Sequence, residues 1–188
     1  MYFMKEMLDQ AVEEKIGRAR WLYAQLGQEL SSDTEIRTLL DNYLEAIGKT
    51  GAAMRRNGVV RACTVCAAQP HGSCCFSGIE EGFDHMLLLI NMLLGRELPD
   101  EKGLPGSCYF VGEYGCKLIA KSYFCLHYLC PELKAMLGPA GCRDLLRIVG
   151  EELSAGWELE QTLRCWIQRR ENASISRYQA EDLKISIP

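Results

Sequence analysis

Cysteine is the residue type in this sequence with the greatest capacity for chemistry, and its distribution along the chain is uneven. Eight of the ten cysteines lie between residues 63 and 130. These eight are Cys63, Cys66, Cys74, Cys75, Cys108, Cys116, Cys125 and Cys130. Because thiolates bind zinc and iron, the clustering predicts a metal-binding centre that holds either zinc or an iron–sulfur cluster.

The first four cysteines are closely spaced. Cys63 and Cys66 form a C-x2-C pair, an arrangement that lets two thiolates reach one ion. The adjacent Cys74 and Cys75 follow after seven further residues. The surrounding segment 58–78 contains glycine, proline and serine and shows neither a helical nor an alternating apolar period. We therefore predict a loop that metal binding would order.

Not all of these thiols are needed by one ion, since a tetrahedral site takes four ligands. Adjacent cysteines rarely reach the same ion, so either some of the eight are packing residues or there are two centres. The predicted ligands are Cys63, Cys66, Cys74, Cys75, Cys108, Cys116 and Cys125. Cys130 ranks last because it lies beside Pro131 at a predicted helix start. Cys142 and Cys165 follow the apolar pattern of later helices and are predicted to be buried packing residues.

A family resemblance is carried by the C-x2-C pair, by the Gly72–Cys75 sequence GSCC, and by the C-x7-C-x8-C spacing that begins at Cys108. Together they resemble the CxxCxxCC family of zinc- or iron-chelating proteins over residues 60–131. The resemblance implies chelation and says little about a reaction. Here the doublet lies seven residues beyond the pair rather than two, and the insertion makes His71 a candidate mixed ligand.

The spacing leaves the identity of the metal and the role of the site open. A closed zinc shell would be structural, whereas an iron–sulfur cluster would add redox capacity. Two alternatives are an enzyme that uses a cluster or an activated cysteine for electron or group transfer, and a thiol–disulfide protein with Cys63 and Cys66 as its active pair. The sequence does not decide whether the protein is an enzyme.

Other residues give weaker signals. A carboxylate-bridged di-iron bundle needs Glu-x-x-His, but Gly82 stands three residues before His85, so that class is excluded. His127 is interpreted as a hydrogen-bonded core histidine, with support of a thiolate as the alternative. The three tryptophans fall on apolar helical patterns, and we predict that all are in the core. They are Trp21, Trp157 and Trp166.

The elements that must position the cysteines are mostly helical. Apolar residues recur every three or four positions over residues 4–30, and a capping box over Ser32–Glu35 precedes a second helix. A third helix is predicted over residues 79–94, followed by a short β-hairpin whose strands start at Cys108 and Cys116. Pro131 begins a helix that Gly138 and Pro139 interrupt, and helical periodicity then continues to about residue 170.

These patterns predict one mostly α domain with a cysteine-rich, metal-pinned insert that contains the hairpin. Its parts are N-terminal helices (1–57), the metal-binding region (58–131), C-terminal helices (132–171) and a tail (172–188).

The composition limits the environment and the partners. A net charge of −4 disfavours nucleic-acid binding, which needs a surplus of basic residues. The longest apolar run, residues 86–94, is much shorter than the ~20 residues of a membrane span. The N-terminal residues lack the order of a secretory signal, so we expect a cytoplasmic protein with thiols that are not paired in disulfides. A metal ion is the expected partner, and no protein partner is predicted.

Overall fold

The computed structural model describes residues 2–67 and 73–185, and within them the side chains of residues 11–67 and 73–173. The chain is mostly helical with one small hairpin, which confirms the predicted secondary-structure class. The helices are α1 (Tyr2–Ser32), α2 (Thr34–Arg56), α3 (Val59–Ala67), α4 (His85–Leu93), α5 (Tyr123–His127) and α6 (Pro131–Ile185). The strands are β1 (Val111–Gly112) and β2 (Gly115–Cys116).

The core forms where α1 packs on α4 and where α2 packs along α6. Helix α1 buries a stripe of apolar residues at the predicted spacing, including Val12, Ile16, Ala19 and Leu22. Helix α4 is buried on nearly all sides because its sequence is almost continuously apolar. No helix in the part of the chain that the structure describes is long and apolar enough to cross a bilayer.

The cap of α2 differs from the prediction. Helix α1 continues through Ser32, whose hydroxyl donates a hydrogen bond to the Gln28 carbonyl at 2.7 Å. The single residue between the helices, Asp33, is the N-cap. Its Oδ1 accepts hydrogen bonds from the amides of Glu35 and Ile36 at 3.0 and 3.1 Å. The predicted capping box at Ser32 is therefore wrong by one residue, and a carboxylate satisfies the free amides.

The segment that was predicted to be a loop contains a helix. Gly58 adopts a positive φ of 73°, and α3 then runs from Val59 to Ala67 with both cysteines of the C-x2-C pair on it. Val59 is the only residue of α3 that is fully buried. A nine-residue helix with one buried side chain leaves too little apolar periodicity for recognition. Residues 68–72, including His71, lie outside the described residues.

The third helix and the hairpin are shorter than predicted. Residues Ile79–Gly82 form a turn of 3-10 helix, and α4 starts only at His85. The hairpin pairs Val111 with Cys116, so Cys116 ends a strand instead of starting one. Cys108 lies before β1. Its carbonyl accepts a hydrogen bond from the Val111 amide at 3.0 Å, which closes a turn ahead of the strand.

Helix α6 has the predicted interruption. Gly138 takes φ 64° and ψ 173°, which breaks the helical path just before Pro139. Beyond it the backbone stays helical to Ile185, past residue 172, where the predicted tail begins. A helix propagates more easily than it starts, so the preceding turns can extend into a segment whose sequence has little apolar pattern.

Two of the three tryptophans are not in the core, so that prediction is wrong for them. Trp21 is 57% exposed and Trp157 is 66% exposed. Trp21 lies next to the buried Leu22, and neighbouring residues on a helix face different directions. Trp166 does pack against the core, and its indole N–H donates to Asp33 Oδ2 at 3.2 Å.

A matched pair of glycines on α6 tests the α2–α6 packing. A Cβ at Gly156 would lie 2.9 Å from Cζ of Tyr43, whereas a Cβ at Gly150 would meet nothing within 4 Å. Gly156→Ala should lower the free energy of unfolding by about 1–3 kcal/mol, because the ring must move. Gly150→Ala should raise it by about 0.5–1 kcal/mol. Urea unfolding measures both, and equal effects would contradict this packing.

Candidate metal centre

The eight clustered cysteines come from six short segments of the chain. Two lie on α3, two in the loop after it, one before β1, one in β2, one on α5 and one immediately before α6. None of the ten cysteines, all within the described residues, forms a disulfide. On α3 the three-residue spacing places Cys63 and Cys66 on one face of the helix, and both are exposed.

The doublet is tied to the segment that precedes the hairpin. The Cys108 amide donates a hydrogen bond to the Cys75 carbonyl at 2.9 Å. Phe76 and Ser107 form an isolated antiparallel bridge at the same place. These contacts bring the backbones of Cys75 and Cys108 side by side although 32 residues lie between them in sequence.

A buried glutamate fixes the end of the doublet loop. Glu80 is fully buried, and its Oε2 accepts a hydrogen bond from the Gly78 amide at 2.9 Å. Its Oε1 lies 3.4 Å from Lys102 Nζ, which also donates to the Ser77 hydroxyl at 3.0 Å. A buried carboxylate needs such partners, because an isolated charge out of water is costly.

A buried asparagine fixes the segment between Cys116 and Cys125. Asn91 lies in the middle of the apolar helix α4 and has no exposed surface. Its Oδ1 accepts from the amides of Ile119 and Ala120 at 3.0 and 3.1 Å. Its Nδ2 donates to the carbonyls of Ala120 and Leu87, each at 2.9 Å. One side chain thus binds four backbone groups, and three of them belong to the segment between β2 and α5.

The last two thiols of the cluster each have a partner at the start of a helix. The Ser122 hydroxyl donates to Cys125 Sγ at 3.3 Å at the start of α5. The Leu133 amide donates to Cys130 Sγ at 3.5 Å in the first turn of α6. Sequence reasoning ranked Cys130 last because of Pro131. That same proline starts the helix whose first turn presents an amide to the thiol.

The thiols are close enough to influence one another's ionisation. Desolvation raises the pKa of Cys63, and the neighbouring Cys130, Cys66 and Cys75 raise it further. Desolvation also raises the pKa of Cys108 to about 12, against a smaller opposing effect of a backbone hydrogen bond. An ordinary cysteine has a pKa of about 8.5.

Burial and neighbouring thiols also raise the pKa of Cys116 in β2 and of Cys125 on α5. Desolvation is the largest cause of the raised pKa of Cys116, and Cys125 and Cys75 are among the groups that raise it further. Desolvation likewise raises the pKa of Cys125, with Cys75 adding to the effect. The Lys121 ammonium acts in the opposite direction on both.

The two members of the doublet have opposite properties. A hydrogen bond between their side chains lowers the pKa of Cys75 to about 6 and raises that of Cys74 well above its usual range. The Ser73 hydroxyl and the nearby Lys121 ammonium also lower the pKa of Cys75. At neutral pH Cys75 is therefore the thiolate of the pair, and a metal binds thiolates.

The donor chemistry of the cluster suits zinc and iron, both of which bind thiolates. Among the residues that the structure describes, no three cysteine, histidine, aspartate or glutamate side chains are arranged to hold an ion directly. Metal binding would therefore have to draw the thiols closer together. His71, the candidate mixed ligand, lies outside the described ranges.

Two further predictions of burial need correction. Cys165 is exposed on α6, while Cys142 is half-buried against the smaller of two apolar clusters. His127 is exposed and stacks on Tyr123 with 4.8 Å between ring centroids, so it is not a core histidine. Helix α5 is only five residues long, and its exposed face carries these aromatic rings.

Comparison of the chain with protein-family models, with curated proteins and with solved structures finds no match. The resemblance to the CxxCxxCC family therefore stays a prediction that rests on cysteine spacing.

The contrast between thiols predicts a selective pH dependence of alkylation in metal-free protein. Iodoacetamide should modify Cys75 with a rate that is half-maximal near its pKa of about 6, because the thiolate is the nucleophile. Cys108, with a pKa of about 12, should stay unmodified at pH 7. Cys74→Ala removes the hydrogen bond and should raise the Cys75 midpoint. Peptide mass spectrometry measures both, and a Cys75 rate that rises only above about pH 8 would contradict the assignment.

Proposed function

We propose that this protein binds a thiophilic metal, zinc or the iron of an iron–sulfur cluster, through its cysteine cluster. The observation that carries the proposal is the convergence of eight thiols from six segments into one electrostatically coupled group. Such thiols stay available in a reducing compartment, and the proposal places the protein in the cytoplasm.

The electrostatics of the cluster support a cation as its ligand. Neighbouring thiols raise one another's pKa because each negative thiolate disfavours the next. A metal cation reverses this effect by replacing the protons, so each neutral thiol that binds releases one proton. Lys121 is a positive charge near several of these thiols, but one ammonium cannot neutralise four thiolates.

The architecture around the cluster also supports metal binding. The segments that carry the thiols consist of short elements, including a two-residue strand pair and a five-residue helix. Such elements bury little apolar surface on their own, and metal coordination stabilises them. When bound, zinc with four thiolates would supply a structural cross-link, and an iron–sulfur cluster would supply electron transfer.

A second candidate function is thiol chemistry at Cys75, which the lowered pKa favours. Its thiolate would attack an external disulfide, form a mixed disulfide and release one thiol. Attack by Cys74 or another neighbouring thiol on the mixed disulfide would then release the second thiol and leave an internal disulfide. Thiol counting in freshly lysed cells under denaturing conditions tests this alternative. An internal disulfide would support it, and ten free thiols would count against it.

The metal proposal is tested by anaerobic purification followed by elemental analysis. Stoichiometric zinc in a colourless protein, or iron with sulfide in a brown one, is the expected result. In the same preparation a chelator should accelerate hydrogen exchange in residues 59–67, 73–78 and 107–130, because metal orders these segments. Helix α2 is the internal control and should change less. Protein free of metal, with exchange that the chelator leaves unaltered, would contradict the proposal.

A further inference from the structure

Four of the eight thiols differ from the rest in how their backbone is held. Cys75 and Cys108 are joined by a hydrogen bond of 2.9 Å. The Cys108 carbonyl accepts from the Val111 amide, and Val111 pairs with Cys116 across the hairpin. The backbone is therefore continuous in its hydrogen bonding from the doublet loop to β2.

Cys125 joins this set through the segment that Asn91 fixes. Asn91 binds the backbone at Ile119 and Ala120, between β2 and α5, so Cys116 and Cys125 lie on either side of a fixed point. The adjoining Ser122 is buried and donates to Cys125 Sγ. Helix α4 thus sets the separation of the two thiols.

Packing separates three of these four thiols from the others. Cys75, Cys108 and Cys125 pack in or against the main apolar core, whereas Cys130 packs against the smaller cluster formed with α3 and α6. Cys63, Cys66 and Cys74 are exposed, and so is Cys116, whose place in the set rests on the hairpin pairing. Burial and fixed backbone both reduce the entropy that a group loses when it coordinates an ion.

The four thiols also influence one another's ionisation. Five of their six pairs interact electrostatically. The sixth pair, Cys75 and Cys108, is the one joined by the backbone hydrogen bond. Each of the four residues therefore interacts with the other three, either electrostatically or through the backbone hydrogen bond.

Resting on the proposed metal-binding function, we infer that Cys75, Cys108, Cys116 and Cys125 become the metal ligands on binding and that Asn91 is their positioning residue. Binding would have to draw these thiols closer together, because no three of the described side chains are arranged to hold an ion directly. The ligand class is a thiophilic cation in a four-thiolate shell. Cys63, Cys66, Cys74 and Cys130 lie around this set and are not required for binding the metal. Of the doublet, Cys75 ligates and Cys74 does not.

The doublet supplies a matched pair of variants. The full-length chain is purified anaerobically as wild type, Cys75→Ser and Cys74→Ser, stripped of metal and titrated with Zn²⁺ against a competing chelator. Cys75→Ser should lower the Zn²⁺ affinity at least a hundredfold, and Cys116→Ser should do the same. Cys74→Ser and Cys63→Ser should stay within about threefold of wild type. Metal content as purified gives the corresponding comparison for iron.

Asn91→Leu tests the positioning role, because leucine fills similar space without the four hydrogen bonds. It should weaken Zn²⁺ binding about 10–100-fold, as loss of a residue that orients ligands does. Leu89→Ala on the same helix is the control, since it removes a fully buried side chain that makes no hydrogen bond to the loop backbone. It should lower the unfolding midpoint in urea and leave Zn²⁺ affinity near wild type.

The outcomes separate the inference from the function on which it rests. A wild-type chain that neither contains nor binds metal overturns both. A wild type that binds, with Cys74→Ser losing affinity as much as Cys75→Ser, overturns the ligand assignment alone. Equal loss of affinity in Asn91→Leu and Leu89→Ala overturns the positioning role. Loss of Zn²⁺ affinity in Cys75→Ser, Cys116→Ser and Asn91→Leu, with the control variants near wild type, supports both the ligand assignment and the positioning role.

Discussion

A backbone segment that is buried against an apolar core must find hydrogen-bond partners, and this requirement governs how the cysteine-bearing loops attach to the protein. Helix α4 and the turn before it bury two polar side chains, Glu80 and Asn91, and each binds loop backbone. The thiol cluster therefore takes its position from a rigid core, even though the segments that carry it are short.

The second constraint is electrostatic. Burial and mutual proximity raise the pKa of the thiols and favour their neutral form. A cluster of this kind would therefore be stabilised as thiolates by nearby positive charge. Lys121 supplies part of it, and the low pKa of Cys75 marks the place where negative charge is best tolerated. Under the proposed function, a bound metal ion would turn this cost into stability, since its binding free energy would become folding free energy.

The features that can be predicted from the sequence are those that depend on long apolar periodicity or on proline and glycine. The amphipathic stripe of α1 and the break at Gly138 are both as predicted. Features that depend on tertiary contacts are missed. Helix α3 is too short for a periodic signal, and Trp157 follows an apolar pattern yet faces solvent. The sequence does contain a signal for the contact between α4 and the loop: Asn91 interrupts a run of nine residues that is otherwise apolar, and a polar residue there implies a buried partner.

The central claim is that this chain gathers thiolates around a metal. X-ray absorption at the metal edge of anaerobically purified protein tests it most directly, because it reports the atoms bound to the ion. The account predicts a first shell of sulfur alone, at about 2.3 Å if the metal is zinc. A first shell of oxygen or nitrogen at about 2.0–2.2 Å, or protein with no metal, would contradict it.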